Sequence, residues 1–203
     1  MHSDFIFKIV ILNDFRRDEL LSFQKRAFQN HFFDPKSIKA TGFILLFKFL
    51  NINGYIVSLS TWVISHEKRF RSLFHNFFVG THGILIMCDI TRERTIIEID
   101  KWLKSTLNLP IERPSKEIDE WFNNHPERLI IEKFSTLKST LKYIPTILVG
   151  YITNNEPKIQ YEEIRNLAKS HKLDGYAICN LQTGENLEII FETLATDLIK
   201  RYK

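Results

Sequence analysis

The chain has 203 residues, 44% of them hydrophobic and 26% charged, with a formal net charge of +4. That size and apolar share fit a single domain over 1–203 with a real core, and exclude disordered, collagen-like and linker-like chains. The basic residues fall in short clusters separated by acidic ones, with no basic stripe interleaved with aromatics, so no nucleic-acid partner is expected.

Phe5 to Leu12 reads as a buried strand ending at Asn13-Asp14. Asp18 to Phe28 follows with Leu20, Leu21, Ala27 and Phe28 at helical spacing. Phe43 to Asn51 and Tyr55 to Trp62 flank Ile52-Asn53-Gly54, the signature of a hairpin. Phe70, Leu73, Phe74, Phe77 and Phe78 recur at helical spacing, then Gly83 to Cys88 forms an uninterrupted apolar strand. A helix from about Arg94 carries Ile97, Trp102 and Leu103 on its apolar side. Ile144 to Val149 is a further strand stopped by Gly150, Tyr161 to His171 an amphipathic helix, Tyr176 to Cys179 a short strand. Asn186 to Arg201 is the last helix, with Leu187, Ile190, Phe191, Leu194, Leu198 and Ile199 as its core stripe.

Strands alternating with helices imply an α/β fold. Its doubly wound, mostly parallel sheet has helices on both faces, and the hairpin supplies one antiparallel edge. Residues 104–143 break this rhythm. They form a 40-residue connection with its own helical patterns and Pro110, Pro114 and Pro126, far longer than usual. They are expected to form an inserted helical segment before the fifth strand, packed on the domain or offered to a partner. The pattern alone also accommodates a CheY-like or flavodoxin-like domain, with Asn13-Asp14 at a strand end.

Two cysteines, Cys88 and Cys179, cannot build a disulfide framework or a zinc site, and suit a reducing compartment. No apolar run approaches the ~20 residues of a membrane span. Met1-His2-Ser3-Asp4 leads straight into a strand rather than a signal peptide, and Arg201-Tyr202-Lys203 offers no lipid-acceptor cysteine. A cytoplasmic protein without a direct membrane anchor is expected.

Glycine is scarce, with 7, and absent from the first 41 residues, whereas phenylalanine numbers 17. Loops that cradle phosphate concentrate glycine, because backbone amides must approach the ligand closely.

Phe70-Arg71-Ser72-Leu73, Gly80-Thr81-His82-Gly83-Ile84-Leu85-Ile86 and Asp89-Ile90-Thr91 resemble the Rab branch of the Ras superfamily of small GTPases. Lys101-Trp102-Leu103, Ile147-Leu148-Val149-Gly150 and Thr183-Gly184-Glu185-Asn186 extend the likeness at family-like spacing. The resemblance covers most of 5–104 and 144–203 and implies a six-stranded small-GTPase sheet related to P-loop NTPases. The nucleotide positions depart from the pattern. Where the family has G-x-x-x-x-G-K-[ST], this chain has Asn13-Asp14-Phe15-Arg16-Arg17-Asp18-Glu19-Leu20. Asn13 and Asp18 replace the glycines, Glu19 the phosphate-reaching lysine and Leu20 the magnesium-binding hydroxyl. In the first switch, Ser37-Ile38-Lys39-Ala40-Thr41-Gly42, Ala40 stands at the magnesium-binding threonine. In the second, Val63 stands at the magnesium-steering aspartate, His66 at the γ-phosphate-sensing glycine and Glu67 at the water-orienting glutamine. The base-reading N-K-x-D becomes Tyr151-Ile152-Thr153-Asn154, and S-A-K becomes Asn180-Leu181-Gln182.

Phosphoryl transfer depends on positioning and charge neutralisation, and those groups are replaced. The expectation is a pseudo-GTPase without catalytic residues, metal or cofactor. It would bind proteins through the switch-like surface (37–45, 63–78) or the 104–143 insertion. The alternative is a divergent GTPase that holds GTP or GDP with magnesium in an atypical pocket through Asn154. His66 and Glu67 read as a solvated helix start rather than an acid/base pair, since no nucleophile or metal constellation accompanies them. Asp18 and Glu19 at a helix start complement its dipole without bound phosphate.

Overall fold

Alternating burial along the strands shows how this chain divides its apolar residues between two faces of one sheet. In β1 (Phe5–Asn13), Phe7, Ile9 and Ile11 join one hydrophobic cluster while Val10 and Leu12 join the other. A central strand must be apolar on both faces, which is why the sequence alternates so little there. The computed structural model describes residues 3–28, 41–65, 67, 69–70, 77–106, 132–133 and 144–203.

After β1 come α1 (Arg17–Phe28), β2 (Phe43–Ile52), β3 (Tyr55–Ile64), β4 (Gly83–Asp89) and α2 (Thr95–Thr106). Then follow β5 (Glu132–Lys133), β6 (Thr146–Ile152), α3 (Tyr161–Ser170), β7 (Gly175–Asn180) and α4 (Leu187–Tyr202). The sheet order is β2-β3-β1-β4-β6-β7-β5. β3, β1, β4, β6 and β7 run parallel, while β2 lies antiparallel to β3 at one edge. The expected six strands and edge hairpin are present. The two-residue β5, inside the segment expected to be helical, adds a seventh strand antiparallel to β7. The start of that segment also shifts, because α2 continues to Thr106. Otherwise the 104–143 expectation lies outside the described residues, as does most of the Phe70–Phe78 stripe.

α1 and α4 cover one face with Leu20, Phe23, Ala27, Phe191 and Leu194; α2 and α3 cover the other with Ile99, Leu103, Ile164 and Ala168. Ile97 is exposed, so the buried stripe of α2 turns toward Ile96, Ile99 and Leu103 instead. Gly150 does not stop its strand. It sits inside β6, where an added Cβ would lie 2.8 Å from Ile178 Cδ1 and 2.9 Å from Ile90 Cγ2. The hairpin turn places Asn53 and Gly54 at φ of 52° and 88°, the paired positive angles of a type I′ turn. β2 buries Lys48, whose Nζ donates to Ala27 O at the end of α1 and to Glu188 Oε2 on α4, each at 2.7 Å. One ammonium thus ties a strand to both helices of its face.

Because α1 and α2 cover opposite faces while β1 and β4 are neighbours, the carboxyl ends of β1 and β4 form a topological switch point. In doubly wound sheets such a switch point is where ligands bind.

Candidate functional site

The segment from Asn13 to Leu20 occupies that switch point. Asn13 is buried; its Nδ2 donates to Ile64 O (2.8 Å) and its Oδ1 accepts from Phe15 N (3.1 Å). That short side chain closes a local turn, and no residue from 13 to 20 has positive φ, so this backbone requires no glycine. Phe15 turns inward, 7% exposed, its ring centroid 5.0 Å from that of Phe23 and 5.1 Å from that of Tyr151. Arg16, Arg17 and Asp18 point to solvent, while Leu20 is buried in the core beneath α1.

Glu19 sits three residues beyond Arg16, where a helix start lacks intrahelical partners for its amides. Its Oε2 accepts from Arg16 N at 2.6 Å, as the acid of a capping box does. The same oxygen lies 2.9 Å from the Tyr151 hydroxyl and 3.8 Å from Arg92 Nη2. Tyr151 Oη is also 2.9 Å from Asp14 Oδ1. Arg92, in the segment between β4 and α2, donates from Nη2 to Tyr151 Oη (3.3 Å) and Asp14 Oδ2 (3.1 Å). Its Nε lies 2.5 Å from Asp89 Oδ2, off the line a hydrogen bond needs, so that contact is an ion pair. Asp89 is fixed in turn: its Oδ1 accepts from Thr91 N (2.8 Å) and Thr91 Oγ1 (2.6 Å).

Three carboxylates therefore converge on one guanidinium and one phenol. Burial pushes the Asp14 carboxyl up to about 6, against the opposing pull of Arg92. Burial and the adjoining Asp14 carboxylate push the Tyr151 hydroxyl far above its ordinary value, so it stays protonated. For Arg92, burial works against the charge, but Asp14 and the surrounding acids outweigh it and hold the guanidinium more firmly protonated than usual. Among the described residues, no group of three or more His, Cys, Asp or Glu is arranged to hold a metal ion.

The other sequence-derived positions scatter. Val63 is wholly buried in the sheet between Ile44 and Ile11. Glu67 opens a short turn and pairs with Arg69, Oε2 to Nε at 2.8 Å. Ala40 and His66 lie outside the described residues. Ile152 is half-buried and Asn154 exposed after β6. Asn180 Oδ1 accepts from Gln182 N (2.8 Å) and Thr183 N (3.0 Å), and Leu181 N donates to Ile152 O (2.9 Å), tying this loop to β6. Asp89 and Arg92 were missing from the sequence-derived site. The signal available was chain order: Asp89 ends a buried strand next to β1 and Arg92 lies three residues further on.

A second surface is aromatic. The rings of Phe43 and Trp62 stack with centroids 5.0 Å apart, and Phe77 lies 5.3 Å from Phe43 and 6.1 Å from Trp62. Further along β2, Phe47 and Phe49 are 43% and 58% exposed. Phe70, whose Cδ1 lies 2.7 Å from the point a Cβ on Gly42 would occupy, joins the two switch-like segments.

The sheet order, the hairpin edge and the two helical layers are those of the small-GTPase fold. The Ras family model matches residues 22–114. The chain is similar to the Ras-related protein Rab-19 of Xenopus laevis, 28% identical over 98% of this chain and 79% of that protein. It is likewise 28% identical to the Ras-related protein RABA1b of Arabidopsis thaliana, over 52% of this chain and 48% of the relative, about half its length. The chain is thus similar in sequence to Ras-related proteins of the Rab branch, and its sheet is that of the small-GTPase fold. No helix among the described residues is long and apolar enough to cross a membrane.

Proposed function

We propose that this Rab-like protein has lost Mg-GTP binding and hydrolysis and acts in the cytoplasm as a protein-interaction or regulatory module. The observation that carries this reading is the position of Glu19. Its carboxylate accepts the Arg16 amide at the start of α1, the place where this fold would present amides and a lysine to phosphate. Asp14 and Asp89 add negative charge beside it, and Arg92 and Tyr151 are already engaged by those acids. A nucleotide phosphate would meet three carboxylates and one occupied cation, so the residues present do not fit magnesium and GTP. With Val63 in the core and Leu20 under α1, neither presents an oxygen to a metal.

The surface offered to partners is the switch-like one, where half-buried Phe43 and Trp62 lie on the edge that carries exposed Phe47 and Phe49, or the 104–143 segment. Aromatic clusters of this kind dominate binding energy when a partner desolvates them. The test is titration of nucleotide-stripped protein with a fluorescent guanine nucleotide and magnesium. No saturable signal at micromolar protein is expected; saturation would instead establish a divergent GTPase.

A further inference from the structure

Tyr151 Oη lies 2.9 Å from Asp14 Oδ1 and 2.9 Å from Glu19 Oε2. A phenol has one hydrogen to donate, and ionised carboxylates have none. Arg92 does not supply the missing one, because its Nη2 donates to the phenol oxygen and to the other Asp14 oxygen, Oδ2. With both acids ionised, one of the two 2.9 Å contacts is oxygen against oxygen with no hydrogen between. A single added proton resolves this. Asp14 Oδ1–H donates to the phenol oxygen, the phenol donates to Glu19, and Glu19 also accepts from Arg16 N. Glu19 Oε2 already accepts from Arg16 N, so with the hydrogen on Asp14 every contact in the chain has one donor and one acceptor.

We propose that Asp14, Tyr151 and Glu19 share one bound proton, which couples closure of the segment between β1 and α1 to pH. The charged and titratable groups facing Asp14 are Glu19 from α1, Asp89 and Cys88 from β4, Arg92 from the β4–α2 segment and Tyr151 from β6. Only Arg92 among them carries positive charge, so a proton is what the cluster lacks. Burial pushes Asp14 up to about 6, while Arg92 and hydrogen bonds from Tyr151 and the Asp89 backbone pull against it. Below that pH the chain from Asp14 to the Arg16 amide is complete. Above it, Asp14 and Glu19 face each other across the phenol as like charges. The proposal goes beyond the nucleotide reading and does not depend on it.

The test is a carboxyl-carbon NMR titration of the full chain, with Asp14→Asn identifying the resonance. Wild-type Asp14 is expected to show a midpoint near 6 that Asp14→Asn abolishes. In Glu19→Gln the oxygen that accepts from Arg16 N and the phenol is kept but its charge is removed, so Asp14 no longer faces a like charge across the phenol. Asp14 is then expected to titrate at least about one pH unit lower. A wild-type midpoint in the ordinary carboxylate range overturns the shared proton, and so does a raised one unmoved in Glu19→Gln, which leaves burial alone as its cause. If Glu19→Gln does not fold, hydrogen exchange of the wild-type Arg16 amide decides. Protection corrected for intrinsic rate is expected to fall severalfold between pH 5 and pH 7.5, and unchanged protection overturns the proposal.

Discussion

Replacing Glu19 with lysine, the residue a phosphate-binding loop carries there, is expected to weaken the fold without restoring nucleotide binding. Glu19 would lose its acceptance of Arg16 N at 2.6 Å and Tyr151 Oη at 2.9 Å, charge-assisted bonds worth about 1.5–3 kcal/mol each. The 3.8 Å pairing with Arg92 would become a repulsion of about 4 kcal/mol at an effective dielectric of about 20. Arg92 is 29% exposed and screening reduces that to about 1 kcal/mol, which new attraction to Asp14 and Asp89 largely offsets. The net loss is about 3–6 kcal/mol, or roughly 6–24 °C in melting temperature for a chain of this size. Urea and thermal unfolding measure it, with Glu19→Gln, which keeps a capping oxygen, losing less than half as much. The Glu19→Lys, Leu20→Thr double variant is expected to bind no GTP either, since Val63, Asp14 and Asp89 are unchanged. Wild-type stability in Glu19→Lys, or magnesium-dependent GTP binding by either variant, would refute this reasoning.

Lys48→Met keeps the apolar stem but leaves the Ala27 carbonyl and Glu188 without their ammonium, and is expected to cost about 1–3 kcal/mol in urea unfolding. Gly150→Ala presses a methyl against Ile178 and Ile90 and is expected to destabilise by about 1–3 kcal/mol, read the same way. Asp14 binds its proton more tightly folded than unfolded, so its stabilising contribution is complete below pH 3.8 and lost as pH rises through about 6. Relative to Asp14→Asn, wild-type stability should therefore rise by up to about 3 kcal/mol from pH 7 to pH 4. A pH-independent difference between the two would contradict that assignment.

The layers of the fold were readable because central strands such as Phe5–Asn13 and Gly83–Asp89 are apolar throughout and the helices carry periodic stripes. Asn53-Gly54 announced its own turn. Boundaries failed where tertiary packing overrode a local rule. Gly150 looked like a strand end but is a close-approach position between Ile178 and Ile90, and Ile97 looked like core but faces solvent. The candidate site was half legible. Glu19 stood out because its charge is opposite to the expected lysine, whereas its partners lie 73 and 132 residues away, at Arg92 and Tyr151. Tyr151 registered only as a replaced base-reading residue. That its hydroxyl reaches across to α1 depends on the alignment of β6 with β4 and β1, which no local pattern encodes.

Isothermal titration of GTP and GDP into nucleotide-stripped protein, with and without magnesium, addresses the central reading directly. Absence of a binding isotherm at tens of micromolar, under every condition, is the predicted result. Magnesium-dependent binding at micromolar affinity or tighter would contradict it and return the chain to the working GTPases.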